Sequence, residues 1–317
     1  MNMLSKNHQK SMSKQVAIIL LNWNTPTHTA NCIESIIKNC NSEDYDLIIA
    51  DNGSTDDSLS ILKSKFPQHI YIDNKANLGF AGGNNTALKF SIEHNYTFSL
   101  LLNNDTEVDE DFLTPLTAHL NANANAVAVQ PAIYYLNNKE QLWNGGSFFN
   151  PYFGFTYSKN SKSRQALKTP EKVDWLTGCC FLIRNSALKE IGLLNEKFFL
   201  YYEDVELSFR LREQCGELHY LPTTKVYHEA GVSGKQRSKN TEGTLSPIIH
   251  YYVNRNKIWF LRKYANPFFF VMMFINNSIY YSMVLCYFML RNRRKKAAYL
   301  VQAIREGLFT PKSSIWL

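Results

Sequence analysis

Three polar clusters in the first 105 residues carry the amides and carboxylates needed to hold a cation and a polar ligand. They are Asn22-Trp23-Asn24, Asp51-Asn52-Gly53-Ser54-Thr55-Asp56 and Asn103-Asn104-Asp105. Each follows a short apolar run. Asp105 is the sharpest candidate. A carboxylate beside two amides suits a hard divalent cation, Mg2+ or Mn2+, which takes oxygen ligands and shares them with substrate phosphates. The ordinary account of any one cluster is turn chemistry, because Asn, Asp and Gly favour loops. Helix capping explains Asp105 poorly, since Asp109 is better placed to begin the next helix.

Other candidates lie further along. Asn77-Leu78-Gly79-Phe80-Ala81-Gly82-Gly83-Asn84-Asn85 joins a short strand to a helix. Its glycines would let backbone amides approach an anion at a helix N-terminus. It matches neither the Walker nor the dinucleotide pattern, and a tight connection is the competing reading. Glu203-Asp204 follows the large residues FFLYY and precedes the helical VELSFRLR. A carboxylate walled in this way could act as a general base, with Asp204 ahead of Glu203 and Glu206. The alternative is simple complementation of the helix dipole. His228 follows the strand-like Lys225–Tyr227 and could complete a metal site through an imidazole nitrogen, or be a hydrogen-bonded structural histidine. Lys235, Arg237, Lys239 and Arg255 could neutralise phosphate. A solvated surface charge is the alternative for each, and it suits Arg255 least, because that residue sits in a Tyr-rich helix.

These residues need a scaffold, and the apolar pattern predicts one. Gln15–Leu21, Tyr45–Ala50, Ile70–Ile72 and Thr97–Leu102 read as buried strands. They alternate with helical spacing at Thr27–Asn39, Asp57–Phe66, Gly83–Asn95 and Asp109–Leu120. Such alternation implies an α/β fold with a mostly parallel central sheet flanked by helices. Ligands in these sheets bind beyond the carboxyl ends of the strands. The second half adds a buried strand over Val173–Ile183 and a helix within Asn195–Cys215. Ser158–Thr169 and Gly231–Thr244 have loop composition. The expected organisation is a polar extension (1–14), a ligand-binding half (15–130), a second half (131–244) and an aromatic, basic helical tail (245–317).

Composition narrows the function. With 45% hydrophobic and 19% charged residues in 317, wholesale disorder is excluded. The six cysteines show no C-x-x-C pair, which argues against a disulfide scaffold and for a reducing compartment. Met1–Lys14 has no apolar core for a secretion signal, so the body is expected in the cytoplasm. Tyr251–Leu317 holds eleven Lys/Arg against one acid, Glu306, leaving 23 bases and 26 acids elsewhere. A near-neutral body does not suit nucleic acid. The uncharged Phe268–Leu290 makes lipid the better partner for the tail. That stretch is long enough to span hydrocarbon, but Asn276-Asn277-Ser278 interrupts it, and the cations of Arg291–Lys296 should stay cytoplasmic. A re-entrant pair broken near Asn276, or interfacial helices, would satisfy both conditions. A buried helix pair or a homo-oligomer interface is the alternative.

Taken together, the segments VAIILLNWN, LIIADNGSTDDS, NLGFAGGNN, LLLNNDTEV, WLTGCCFLIR, FFLYYEDVELSFR and VYHEAGVSG resemble the family 2 inverting glycosyltransferases of the GT-A fold. The resemblance is closest to the bacterial rhamnosyltransferase branch of surface polysaccharide assembly. It covers roughly Val16 to Gly234 and says little about the sugar. It implies that Trp23, with Asn22 beside it, lies against the nucleotide base and that Asp51 accepts a hydrogen bond from the uracil or thymine NH. Asn104 would touch the ribose. Asp105 would hold the metal on the diphosphate, assisted by His228. The segment containing Asn77 and Gly82 would shape the donor pocket, and Asp204 would be the base. One departure stands out: Asn103 occupies the first position of the usual D-x-D. The implied reaction moves a sugar, with inversion, from a nucleotide-diphosphate donor (dTDP-rhamnose or a UDP-sugar) to a lipid-linked or growing oligosaccharide acceptor. The implied place is the cytoplasmic face of the inner membrane. A sugar nucleotidyltransferase is a different enzyme class with a related sheet, but Asn22–Pro26 lacks the Gly-rich basic loop it would need. A non-catalytic nucleotide-sugar-binding subunit would keep Asp51 and Asp105 but need no base.

Overall fold

The computed structural model describes residues 14–160, 169–229 and 245–316. The first half runs β1 (Val16–Asn22), α1 (Pro26–Asn39), β2 (Tyr45–Asp51), α2 (Ser58–Lys65), β3 (Ile70–Asp73), α3 (Gly79–Glu93), β4 (Phe98–Asn103), β5 (Thr106–Val108) and α4 (Leu113–Ala122). There follow β6 (Ala126–Tyr135), β7 (Asn138–Asn144), β8 (Ser147–Asn150), β9 (Phe155–Ser158), β10 (Glu171–Lys172), β11 (Cys180–Arg184), α5 (Asn185–Ile191), α6 (Glu203–Gln214) and β12 (Glu217–His228). The C-terminal part is helical: α7 (Pro247–Tyr264), α8 (Phe270–Leu290) and α9 (Arg294–Phe309).

The main sheet has the order β10-β12-β6-β11-β4-β1-β2-β3, with β5 and β7 attached at its sides. Along this path only β11 and the short β10 run against the rest. The central strands are continuous apolar runs because both faces are covered. Side chains alternate across a strand, so Val16, Ile18 and Leu20 pack with Ile33 and Ile36 of α1 on one face. Ala17 and Ile19 join Leu88 of α3 and Leu207 of α6 on the other. Each fully buried Leu or Ile contributes about 1.5–3 kcal/mol.

Several expected boundaries move, for tertiary reasons. Helix α3 starts at Gly79, not Gly83. Asp109 does not begin a helix, because Thr106–Val108 pairs with the end of β12 and delays α4 to Leu113. Val173–Ile183 is not one strand: β10 pairs with β12, β11 pairs with β4 and β6, and the chain crosses between them. Lys225–Tyr227 is the end of a strand of 12 residues.

The tail differs most. Helix α8 is unbroken at Asn276. The side-chain amides of Asn276 and Asn277 both donate to the Phe153 carbonyl, at 3.0 and 3.2 Å, which gives these polar groups a partner without kinking the helix. The alternative of a buried helix pair is overturned, since Phe270, Phe274, Ile279 and Met283 of α8 are all exposed. Pro267–Leu290 is long and apolar enough to cross a membrane by length and composition.

Glu206, a candidate carboxylate by sequence, serves the scaffold. It is buried, and both its oxygens accept from Arg210 Nε, at 2.8 and 3.0 Å. Arg210 in turn donates to the carbonyls of Ile191 and Leu193. Removing one partner of such a pair strands the other charge. Glu206→Leu is therefore expected to cost about 3 kcal/mol, measured as a lower urea midpoint.

Candidate active site

Parallel register brings the three polar clusters to one edge. Asn22 lies opposite Asp51, and Leu21 opposite Asn103. Their side chains form one network. Asn22 Nδ2 donates to Asp51 Oδ1 at 2.8 Å, and Thr29 Oγ1 donates to Asn22 Oδ1 at 2.7 Å. Asn104 Nδ2 donates to Thr25 and Thr29, both at 2.8 Å. Asp51 also accepts from the Ser54 amide and hydroxyl, at 2.9 and 2.7 Å, and is only 2% exposed. It lies beneath the rim, whereas Trp23 stands on it with 49% of its surface open.

Sequence reasoning gave no separate role to Asn52, which organises the neighbouring turn. Its amide donates to Asn77 Oδ1 and the Gly79 carbonyl, and its Oδ1 accepts from the Leu78 amide, all at 3.1 Å. The available signal was an amide at a strand end facing the Asn-rich 74–85 segment.

Asp105 and His228 meet through the β5–β12 pairing, in which His228 lies opposite Thr106. His228 Nε2 is 3.2 Å from Asp105 Oδ1, both side chains are 8% exposed, and Trp143 presents its ring to the imidazole at a steep angle. His228 Nδ1 is buried without a hydrogen-bond partner. These features fit a cation. Two neighbouring ligands each about 2.1 Å from one ion stand about 3 Å apart, and a carboxylate with an imidazole suits Mn2+ or Mg2+. Among the described residues no group of three His, Cys, Asp or Glu gathers to hold a metal, so the other positions would fall to phosphate oxygens and water.

The Asp204 carboxylate is held at the start of α6. Its Oδ2 accepts from the Gly178 amide and its Oδ1 from the Val205 amide, both at 2.8 Å. Next to Gly178, the Cys179 carbonyl accepts from the Asn103 amide at 2.8 Å, so Asp204 is tied to the strand end carrying Asn104 and Asp105. Burial pushes the Asp204 carboxyl above the ordinary carboxylate range, against the pull of its backbone N–H partners. Burial, and then the charge of Asp204, hold Glu203 well above that range. Glu203 Oε2 has no hydrogen-bond partner. Of the two, Asp204 is the one equipped to carry charge.

The turn before Asp204 is strained. Phe199, Tyr201 and Tyr202 have φ of +62°, +67° and +70°. Left-handed backbone at such residues costs about 1–3 kcal/mol each. Hydrogen bonds to its carbonyls offset this. Phe80 and Ala81 at the head of α3 donate to the Phe199 carbonyl at 2.7 and 3.4 Å. Gly79 allows the contact, since a Cβ there would lie 2.4 Å from that oxygen.

Two expected phosphate contacts change accordingly. The anion cradle over Asn77–Asn85 is not open: the Gly79 amide donates to Asn77 Oδ1, and the Phe80 and Ala81 amides are taken by Phe199. Gly82 and Gly83 lie inside α3 and permit close packing, since Cβ atoms there would meet Leu78 and Leu21 at 2.8 and 2.7 Å. Arg255 is buried, and its guanidinium donates to Asn256 Oδ1, Tyr251 and the carbonyls of Lys197 and Phe198. Those bonds commit it to the protein rather than to phosphate. Arg237, with Lys235 and Lys239, lies outside the described residues.

The chain is similar to several known proteins. The chain is 29% identical over 213 residues to the low-salt glycan biosynthesis hexosyltransferase Agl10 of Haloferax volcanii, a match covering 65% of the chain and 64% of the relative. The chain thus spans less than two thirds of that relative's length. It is 24% identical over 237 residues to the N-acetylglucosaminyl-diphospho-decaprenol L-rhamnosyltransferase of Mycobacterium tuberculosis, over 67% of the chain and 76% of the relative. The crystal structure of GalNAc-T7 with UDP, GalNAc and Mn2+ superposes with a TM-score of 0.59 at 15% identity, over 78% of the chain and 48% of that structure, which supports the GT-A fold. The sequence profile of Glycosyl transferase family 2 matches residues 17–192, more than half of the chain, and the protein belongs to that family.

Proposed function

We propose that the protein transfers a sugar, with inversion, from a nucleotide-diphosphate donor to a hydroxyl of a lipid-linked glycan. The single observation that carries this reading is the joining of two sites. Asp105 and His228 face each other at 3.2 Å at the strand edge, and Asp204 is hydrogen-bonded to the segment that pairs with the same edge.

In this reading Trp23 stacks on the base, and Asp51, fixed by Asn22 and Ser54, receives the ring NH. Asn104 faces the ribose. Asp105 and His228 would hold Mg2+ or Mn2+, which would supply positive charge against the diphosphate as it leaves. Asp204 takes the proton of the acceptor hydroxyl as its oxygen forms the new bond to C1. The C1–O bond to the diphosphate breaks on the opposite face, and its electron pair leaves with the phosphate. No second carboxyl is needed as an acid, because diphosphate already leaves well. The donor sugar is a deoxyhexose such as rhamnose on dTDP, with a UDP-sugar as the runner-up. The support is the similarity to the mycobacterial relative, whose name also motivates a polyprenyl-diphosphate acceptor.

The acceptor implies a membrane face. The exposed apolar side of α8 continues into the β8–β9 tip, where Tyr152, Phe153 and Phe155 are also exposed. Tyr152 packs on Phe269 with ring centroids 4.4 Å apart. Exposed Arg291 and Arg294 follow at the end of α8. A helix tied to the body by Asn276 and Asn277, apolar outward and basic at its end, fits the cytoplasmic surface of an anionic membrane, lying in its plane.

Asp204→Asn is expected to abolish turnover while leaving binding of dTDP or UDP intact; a non-catalytic binding subunit would show no change. Because the base must be ionised and its carboxyl is raised, kcat/KM should fall as pH drops through a value above the ordinary carboxylate range. An acid limb at or below pH 4 in a rate profile would contradict the assignment. His228→Ala should raise the Mn2+ or Mg2+ concentration giving half-maximal rate; an unchanged metal titration would remove His228 from the site. The full-length protein should co-sediment with phosphatidylglycerol vesicles and less with phosphatidylcholine. The double change Phe274→Asp and Met283→Asp should abolish that, and unaltered sedimentation would rule out α8 as the docking face.

A further inference from the structure

We propose that Arg255 and Asn256 of α7 are positioning residues for catalysis, holding the turn at 197–202 in the conformation that aims Asp204. This rests on Asp204 being the base, as proposed above. Every carbonyl from Lys197 to Tyr201 is captured. Arg255 Nη2 donates to those of Lys197 and Phe198, at 3.0 and 3.2 Å. Asn256 Nδ2 reaches those of Phe198, Leu200 and Tyr201, at 2.8, 2.9 and 2.7 Å. Phe199 is held by α3. Two side chains from one helix thus bind four carbonyls of a turn whose backbone is left-handed at three non-glycine residues.

The clamp is itself rigid. Asn256 has no exposed surface, and its Oδ1 accepts from Arg255 Nε at 2.9 Å, which fixes the amide with its N–H groups toward the turn. The guanidinium lies over Trp259, 4.1 Å from the ring centroid. The Phe199 ring stacks on Tyr252, one turn earlier in α7, with centroids 5.1 Å apart. A buried helix position that only needed filling would take an apolar residue more cheaply than an amide. What the amide supplies is directionality. Freed carbonyls would let Tyr201 and Tyr202 leave the left-handed region. Tyr202 directly precedes α6, so its relaxation swings Asp204 away from the Gly178 amide. The Phe199 carbonyl also bonds the head of α3, so the clamp fixes the base relative to the donor side of the pocket.

The test uses the full-length protein. Asn256→Leu keeps the volume and removes the N–H donors; Arg255→Lys keeps the charge and loses the fork. Folding is followed by circular dichroism, and binding of dTDP or UDP with Mg2+ by calorimetry. A 1 Å misplacement of a catalytic group lowers kcat about 100-fold, so Asn256→Leu is expected to approach that loss and Arg255→Lys to lose about tenfold. Nucleotide affinity should stay within about twofold. The acid limb of kcat/KM should move to higher pH, because a loosened Asp204 loses amide bonds that favour its charged form. A residue that served stability alone would lower the melting temperature and leave both the acid limb and the kcat of the folded fraction unchanged. That result in either variant overturns the proposal, as does an equal loss of nucleotide affinity. If Asn256→Leu does not fold, Arg255→Lys carries the test. Asp204→Asn is run alongside. Full turnover there would remove the base and this proposal with it. Loss there, with none in the α7 variants, overturns the clamp alone.

Discussion

Parallel pairing of β1, β2 and β4 is the constraint on which the rest of the site depends. Strands buried on both faces can turn polar only where they leave the sheet. In a parallel set they all leave at the same edge. Register then puts Asn22 beside Asp51 and aligns Leu21 with Asn103. The Asn22–Asp51 and Asn104–Thr29 hydrogen bonds are consequences of that alignment. An antiparallel arrangement would have scattered the same residues to opposite ends.

The second constraint is the cost of burying carboxylates. Each buried acid at or near the site meets it differently. Asp51 is satisfied by an amide, a hydroxyl and a backbone N–H. Asp105 faces an imidazole. Glu206 has a guanidinium. Asp204 has two backbone amides, and Glu203 has an oxygen without a partner, so its neutral form is favoured. These differences separate a fully hydrogen-bonded acid, an acid facing an imidazole, a scaffold acid and a candidate base within one sheet edge and one helix.

The C-terminal helices join these themes. Helix α7 reaches into the turn before Asp204, and the Ile315 carbonyl accepts from Asn195 at 2.8 Å. The tail is therefore part of the wall around the candidate base. Helix α8, by contrast, turns its apolar side outward and meets the body through the Phe153 carbonyl. One segment of chain thus contributes both a buried clamp and an exposed apolar surface.

Much of the fold was legible in the residues themselves. Apolar runs of strand length, separated by helical spacing, require a sheet covered on both faces, and polar residues after each run require a common rim. The motifs around Asn22, Asp51, Asp105 and Asp204 carried the family, because their residue types are local and their order is linear. Other features depended on contacts between residues far apart in sequence. The early start of α3 depends on Asn52 and on the Phe199 carbonyl. The meeting of Asp105 with His228 depends on a strand pairing across more than a hundred residues. Arg255 reads as a cation available to phosphate until the carbonyls of 197 and 198 are seen to occupy it. Composition and periodicity report which surfaces must be buried. Which hydrogen-bond partner a buried polar group finds is decided only when the chain folds, because the partners come from elements that are not neighbours in sequence.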